Sequence, residues 1–378
     1  MIYEAKKRNN IRKQKIFPKV SLVIATYDEE TTILQKLENT KNLDYPKEML
    51  EVIVVDSGSK DNTREIVEDF NKNNGDLNLR LMTQRQRRGK ANALNHVLPH
   101  CTGEIVVISD ADSLLERSSL TQVVSNFADP TVGAASGRQI LLNSNESPVT
   151  KMEQNYRGIF EILRTGESRL DSTPIFHGEL SAFRRKLVDG ISEDSMADDS
   201  ELSINVRKAG YRAIYEPEAI FYEYAPPTFR ARLKQKQRRG QGLIQQFLRN
   251  IVLVFNRKYG KYGLVIFPCE TFMHVISPIL ITLVVVLMAV AVAQNLAMVI
   301  PIILLVIVIL ATAASLSLLS RIIMINTKMT INPVDITATF LSSQVYLILS
   351  LLAFLIRKNR HEWEKIEDIR TLWKTRRN

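Results

Sequence analysis

At 378 residues the chain has ample length for one large domain and a smaller one. Its two cysteines, Cys101 and Cys269, exclude a disulfide framework and fit a reducing compartment. The net charge of +10 is carried by the amino-terminal arm, residues 230–239 and the tail after Ile356, two of which flank an apolar region. Such placement points to anionic headgroups and the cytoplasmic side of a membrane. Nucleic acid is not expected as a partner, since no helix-turn-helix, zinc or aromatic RNA-binding signature is present.

The apolar residues are unevenly spread. Up to about Lys261 the sequence is mixed and charged, whereas residues 264–356 are dominated by Leu, Ile, Val and Ala. A soluble domain followed by a membrane region is expected. The basic residues Lys6, Lys7, Arg8, Arg12, Lys13 and Lys15 have no apolar stretch behind them, so a signal peptide is not expected.

Strand and helix signals then alternate. Residues 20–25 read as a strand, 31–39 as a helix, 52–55 as a strand and 61–70 as a helix. The run Leu79-Arg80-Leu81-Met82 precedes a helix over about 90–98, which leads into the apolar strand 105–108. This βαβ repetition predicts an α/β fold, a mostly parallel sheet with helices on both faces, and ligands bind beyond the carboxyl ends of such strands. Those ends are polar: Thr26-Tyr27-Asp28-Glu29-Glu30 after the first strand, Asp56-Ser57-Gly58-Ser59-Lys60-Asp61-Asn62-Thr63 after the second, and Asp110-Ala111-Asp112 after the fourth. Each alone reads as a turn and helix cap. Together they converge on one edge, where two carboxylates two residues apart can share a hard divalent cation with substrate phosphates.

Further motifs follow in order: Arg88-Gly89-Lys90-Ala91-Asn92, His177-Gly178-Glu179 with Arg184-Arg185, Ala197-Asp198-Asp199-Ser200-Glu201, and Gln235-Lys236-Gln237-Arg238-Arg239. With the strand-end segments they resemble the family 2 inverting glycosyltransferases of GT-A fold, Rossmann-like and here followed by transmembrane helices, particularly the membrane-attached members. The resemblance covers residues 20–242. It implies that Asp56 contacts the donor base, that Thr26, Tyr27, Glu29 and Glu30 hold base and ribose, and that Lys90 neutralises phosphate charge. Asp112 would ligate a divalent cation, Mg or Mn, with Asp110 on the ribose or a metal-bound water. Asp199 aligns with the general base, beside Asp198, which stands where the family has Glu. Gln235, Arg238 and Arg239 fall on the diphosphate-binding motif. Arg239 replaces the Trp that floors the acceptor site in processive polysaccharide synthases, which weakens that alternative.

Three apolar stretches, 275–293, 297–319 and 336–356, approach the ~20 residues needed to cross a bilayer core. Residues 264–274, with Pro268 and Glu270, are expected at the interface. The expected organisation is a basic arm (1–17), a catalytic domain (18–245), a linker and interfacial helix (246–274), membrane helices (275–356) and a basic tail (357–378). In the tail eight Lys or Arg stand against four Asp or Glu, which favours an even number of spans with the tail inside. The expected function is metal-dependent, inverting, non-processive transfer of a sugar from a nucleotide-diphosphate sugar to a lipid-linked or saccharide acceptor, by a multi-pass cell-membrane protein with a cytoplasmic catalytic domain. A non-catalytic, nucleotide-sugar-binding scaffold is the alternative from a different class.

Overall fold

The structure is a computed structural model, which describes residues 4–6, 11–294, 300–301, 333–356 and 367–375. Its first half alternates strand and helix: β1 (Val20–Thr26), α1 (Ile33–Lys41), β2 (Leu50–Asp56), α2 (Thr63–Asn73), β3 (Asn78–Thr83), α3 (Lys90–Val97) and β4 (Ile105–Asp110). Then come β5 (Leu114–Leu115), α4 (Ser119–Val124), β6 (Val132–Leu141), α5 (Pro148–Leu170), β7 (Ser181–Arg184), α6 (Asp198–Lys208), β8 (Arg212–Glu223) and α7 (Phe229–Arg249). The strands form one sheet in the order β3-β2-β1-β4-β7-β6-β8-β5.

β1, β2 and β4 are apolar almost throughout because both faces are covered. Val20, Leu22 and Ile24 of β1 enter one core, and Val23 and Ala25 enter the other. This period of two divides the apolar residues between helices on opposite sides of the sheet. α1 and α2 each begin two residues later than the sequence pattern predicts. The polar residues ahead of them are taken up in turns: Thr32 and Ile33 both donate their amides to the Glu29 carbonyl, and Asp61 accepts the Thr63 amide at 3.1 Å.

The mostly parallel arrangement holds for β3-β2-β1-β4. Beyond β4 the sheet is mixed: β7 runs antiparallel to both β4 and β6, β6 and β8 are parallel, and β5 is antiparallel to β8. The 23-residue α5 carries the chain from β6 back to β7, and that reversal puts the ends of β4 and β7 beside different loops.

The carboxyl-terminal third is helical. α7 runs through the boundary expected at residue 245. α8 is a continuous helix over Tyr262–Gln294, so residues 264–274 are continuous with the first apolar stretch. Its wider π turns at Tyr262–Ile266 and Phe272–Ile276 flank Pro268. Tyr262, Ile266, Phe267 and Val275 of α8 pack with Leu243 and Phe247 of α7 and Ile175. From Ile279 onward α8 presents Leu280, Leu283, Val284, Val285 and Leu287 as exposed apolar surface.

α9 (Pro333–Leu355) lies along α7. A methyl group on Gly240 would come within 2.9 Å of the Ser350 Cβ, so only glycine allows this approach. α10 (Glu367–Thr375) returns to the sheet, where Trp373 meets Tyr224 edge-on at 4.9 Å. The second apolar stretch, 297–319, lies outside the described residues except at 300–301.

Candidate active site

Strand register gathers the polar ends. Thr26 lies opposite Asp56 across β1–β2, and Ala25 lies opposite Asp110 across β1–β4. The sheet order reverses direction at this point, so a crevice forms where strand-end loops diverge.

The first two loops are laced together. The Asp28 amide donates to Ser59 Oγ (2.8 Å), the Glu29 amide to Thr63 Oγ1 (2.7 Å), the Glu30 amide to Asp61 (3.1 Å), and the Lys60 amide back to Asp28 (2.7 Å). Asp56 is fully buried and accepts from the Gly58 and Ser59 amides and from Arg64 Nε at 2.5 Å. Glu30 accepts from Asn62. Asp56 and Glu30 therefore build the loop walls. The Arg87 guanidinium lies 4.1 Å over the Tyr27 ring. Burial raises the Glu29 carboxyl to about 7, against Arg370 and a hydrogen bond from Thr32, and Arg370 of α10 donates to the Asp28 carbonyl.

A cleft of about 150 Å³ opens beside these loops, lined by Lys90, Asp110, Gly178, Glu179, Asp198, Asp199, Gln235, Arg238 and Arg239 among others. Thr26, Tyr27, Glu29, Glu30, Asp56 and Asp112 are not among its lining residues. α3 starts at Lys90 after Gly89, so its partly positive amino terminus also faces the cleft. Lys90 Nζ sits 2.6 Å from Asp110 and 3.6 Å from Asp198. Burial alone would lower the Lys90 pKa, but Asp110 and Asp198 overcome it and hold the ammonium charged.

Asp198 and Asp199 are the first two residues of α6, and the capping position before them is Ala197, which has no side-chain acceptor. Asp199 accepts the Ser200 amide at 2.7 Å. Burial, then the neighbouring Asp198, raises its carboxyl to about 6, against Arg239 and Lys90. Glu201 is occupied elsewhere, by Ser192 and Gln246.

Gly178 is the meeting point. A Cβ there would lie 2.9 Å from Lys90 Nζ, 3.8 Å from Asp110 Oδ2 and 3.9 Å from Asp199 Oδ2. Glycine leaves one small space that an ammonium and two carboxylates all face. Gln235 Oε1 is buried without a hydrogen bond among the described residues, a polar atom left for a ligand.

Asp112 follows β4. Burial, then Glu29, Asp110 and Glu179, raise its carboxyl to about 8, so negative charge there is under-compensated. Among the described residues no group of three or more His, Cys, Asp or Glu is arranged to hold a metal. Asp112 with Asp110 nevertheless fits a hard cation that takes only one or two protein carboxylates and completes its shell with phosphate oxygens and water.

Two contributors, Lys36 and Arg157, escape sequence reasoning. Lys36 is fully buried under the Asp110–Asp112 turn and donates to Ser109 Oγ (2.6 Å) and the Ser113 carbonyl (2.7 Å). Burial lowers its pKa to about 7, opposed by Asp110 and Asp112. Its signal was a lysine on the buried face of α1, between Ile33 and Leu37. Arg157 lines the cleft from the middle of α5, where no local motif marks it, and Glu179 lines it from the His177-Gly178-Glu179 segment. Burial would raise Glu179, but Arg239 and Arg157 keep its carboxyl below its ordinary value.

The profile of the family described as glycosyltransferase-like family 2 matches residues 18–242. The chain belongs to this family and is a glycosyltransferase. The probable glycosyltransferase YdaM of Bacillus subtilis (strain 168) is 29% identical over 234 residues, 60% of this chain and 56% of that protein. The poly-beta-1,6-N-acetyl-D-glucosamine synthase of Staphylococcus epidermidis is 27% identical over 235 residues, 61% of this chain and 56% of that protein. The matches thus span a little over half the length of these relatives. A solved structure of the mannosyltransferase PcManGT from Pyrobaculum calidifontis, in complex with GDP-Man and Mn2+, superimposes with a TM-score of 0.75 over 94% of each chain at 33% identity. The mixed sheet is that of the GT-A glycosyltransferases.

Proposed function

We propose that this glycosyltransferase moves a single sugar from a nucleotide-diphosphate sugar to a hydroxyl of a lipid-linked or saccharide acceptor, with inversion, at a membrane face. The observation that carries the reading is the convergence of Lys90, Asp110 and Asp199 on the space over Gly178. In it a phosphate-neutralising cation, a donor-side carboxylate and a carboxylate of moderate basicity face the same few ångströms.

The Asp28–Glu30 and Ser57–Thr63 walls would receive base and ribose, with Thr26 and Tyr27 at their root. Lys90, the α3 amino terminus, Gln235 and Arg238 would bind the diphosphate. A divalent cation, Mg or Mn, held by Asp112 with Asp110, would supply Lewis-acid stabilisation of the leaving diphosphate. Asp199 would accept the acceptor hydroxyl's proton as its oxygen bonds to the anomeric carbon. The bond from that carbon to the diphosphate breaks on the opposite face, and its electron pair leaves on the phosphate oxygen. Asp198 would hold Lys90 in place. The Mn2+ and GDP-Man of the mannosyltransferase complex support a metal-assisted nucleotide-sugar reaction.

Membrane attachment is proposed from α8. At 33 residues and 1.5 Å per residue it is about 50 Å long, more than the ~30 Å hydrocarbon core, and its middle exposes apolar side chains that water would disfavour. α9, with the apolar run Leu341–Leu355, would accompany it in a multi-pass arrangement with the catalytic domain on the cytoplasmic side.

The test is a screen of nucleotide sugars with the full chain in lipid nanodiscs, with Mn or Mg and with EDTA, alongside Asp112→Ala. Release of nucleoside diphosphate from one donor, abolished by EDTA and by the substitution, is expected. Metal-independent release would remove the cation from this reading, and no release from any donor with membrane extract supplied as acceptor would favour the scaffold.

A further inference from the structure

α10 has nine residues and rests on segments far from it in sequence. A helix of that length is marginal by itself, so its place is set by what it packs on. Ile369, Leu372 and Trp373, at the i, i+3, i+4 spacing of one helix face, pack with Tyr224 and with Leu114 of β5. Leu114 comes two residues after Asp112, so α10 lies beside the turn that carries the proposed cation ligands.

Arg370 of the same helix reaches the first strand-end loop. Its Nη2 donates to the Asp28 carbonyl and lies 3.7 Å from a carboxylate oxygen of the buried Glu29. Asp28 has φ +50°, a left-handed conformation that residues with a Cβ rarely adopt. It persists only where the surroundings over-determine it. Here the Asp28 amide donates to Ser59 Oγ at 2.8 Å, its Oδ1 accepts the Lys60 amide at 2.7 Å, and its carbonyl accepts from Arg370. Two of these three partners belong to the second strand-end loop and the third to α10. The three segments meet at one strained turn, on the side of the donor site where base and ribose are placed. A helix that only covered Tyr224 and Leu114 would leave residue 370 to solvent, yet the Arg370 side chain is 20% exposed.

We infer that Arg370 is a positioning residue for the donor: by fixing the Asp28–Glu29 turn it shapes the wall that receives base and ribose, so the carboxyl-terminal helix completes the nucleoside side of the donor site. The inference rests on the assignment of that wall to the nucleoside in the proposed function. It carries a specific signature, because Lys90, Gln235 and Arg238, assigned to the diphosphate, sit on other elements, α3 and α7. Loss of Arg370 should weaken recognition of the nucleoside and leave recognition of the diphosphate intact.

The test measures binding of GDP, UDP, ADP, CDP, dTDP and inorganic pyrophosphate, each with Mn2+, to the full chain in nanodiscs, as wild type, Arg370→Met and Arg370→Lys. Arg370→Met should bind the preferred nucleoside diphosphate about tenfold more weakly, the scale of one hydrogen bond from a charged donor, with pyrophosphate binding unchanged. Arg370→Lys, which can donate to the same carbonyl, should recover most of the loss. In turnover by Arg370→Met the donor KM should rise by the same factor while kcat at saturating donor stays within about twofold of wild type. Equal weakening for nucleoside diphosphate and pyrophosphate, no weakening at all, or a fall in kcat with KM unchanged would overturn the inference. Should Arg370→Met not fold, amide hydrogen exchange on the wild type decides: the preferred nucleoside diphosphate should slow exchange over both 28–30 and 367–375, and slowing over 28–30 alone would overturn the inference. A wild type that binds no nucleoside diphosphate more tightly than pyrophosphate would instead overturn the assignment of the wall to the nucleoside.

Discussion

Asp199 sets the chemistry at the residue scale. Because its carboxyl is raised to about 6, it is protonated below that pH and cannot accept a proton. kcat/KM should fall about tenfold per pH unit below pH 6 and level off above it, and a profile flat from pH 5 to 8 would take the base role from Asp199. Gly178 offers a second test. The Cβ of Gly178→Ala would press on Lys90 Nζ at 2.9 Å, a flexible end that can yield, so the fold should survive while Lys90 shifts. A displacement near 1 Å in such a site costs on the order of a hundredfold in rate, and a melting temperature within a few degrees of wild type would assign the loss to the site. Asp110, Asp199 and Lys90 were legible because each sits in a short motif at an element end. Arg157 and Lys36 were not, because their proximity to the cleft arises from packing between elements distant in sequence. Asp56, expected at the donor base, also accepts from the Ser59 amide and Arg64 and so shapes its own loop.

The first four strands were legible at the element scale because burial on both faces forces unbroken apolar runs such as Val52–Val55. β7 was not: four residues, Ser181–Arg184, carry too little pattern, and its antiparallel pairing depends on where α5 returns the chain. α10 was hidden for a similar reason, since its partners, Tyr224 and the Asp28 loop, lie more than a hundred residues away. Replacing a buried Trp by Ala removes about 3–5 kcal/mol, more than a nine-residue helix with few buried side chains should retain. In Trp373→Ala, amide hydrogen exchange should therefore accelerate over 367–375 and 28–30 while the remaining sheet keeps its protection. Unchanged exchange in both segments would mean that α10 is held by other contacts.

At the scale of the whole molecule, a GT-A catalytic half is followed by α8, a helix long and apolar enough to cross a membrane. Leu283 and Leu287 of α8 are about half exposed, and each Arg placed at the centre of a span costs roughly 2.5–3.5 kcal/mol. The double variant Leu283→Arg with Leu287→Arg should move the protein from the carbonate-resistant membrane fraction into the extractable one, and full retention would contradict a spanning α8. The most direct test of the central claim is the turnover of Asp199→Asn, full chain in nanodiscs at saturating donor and metal. The account predicts a fall in kcat of about 10²–10⁴ with nucleotide binding unchanged, the scale of a lost general base. Wild-type turnover by Asp199→Asn would contradict it.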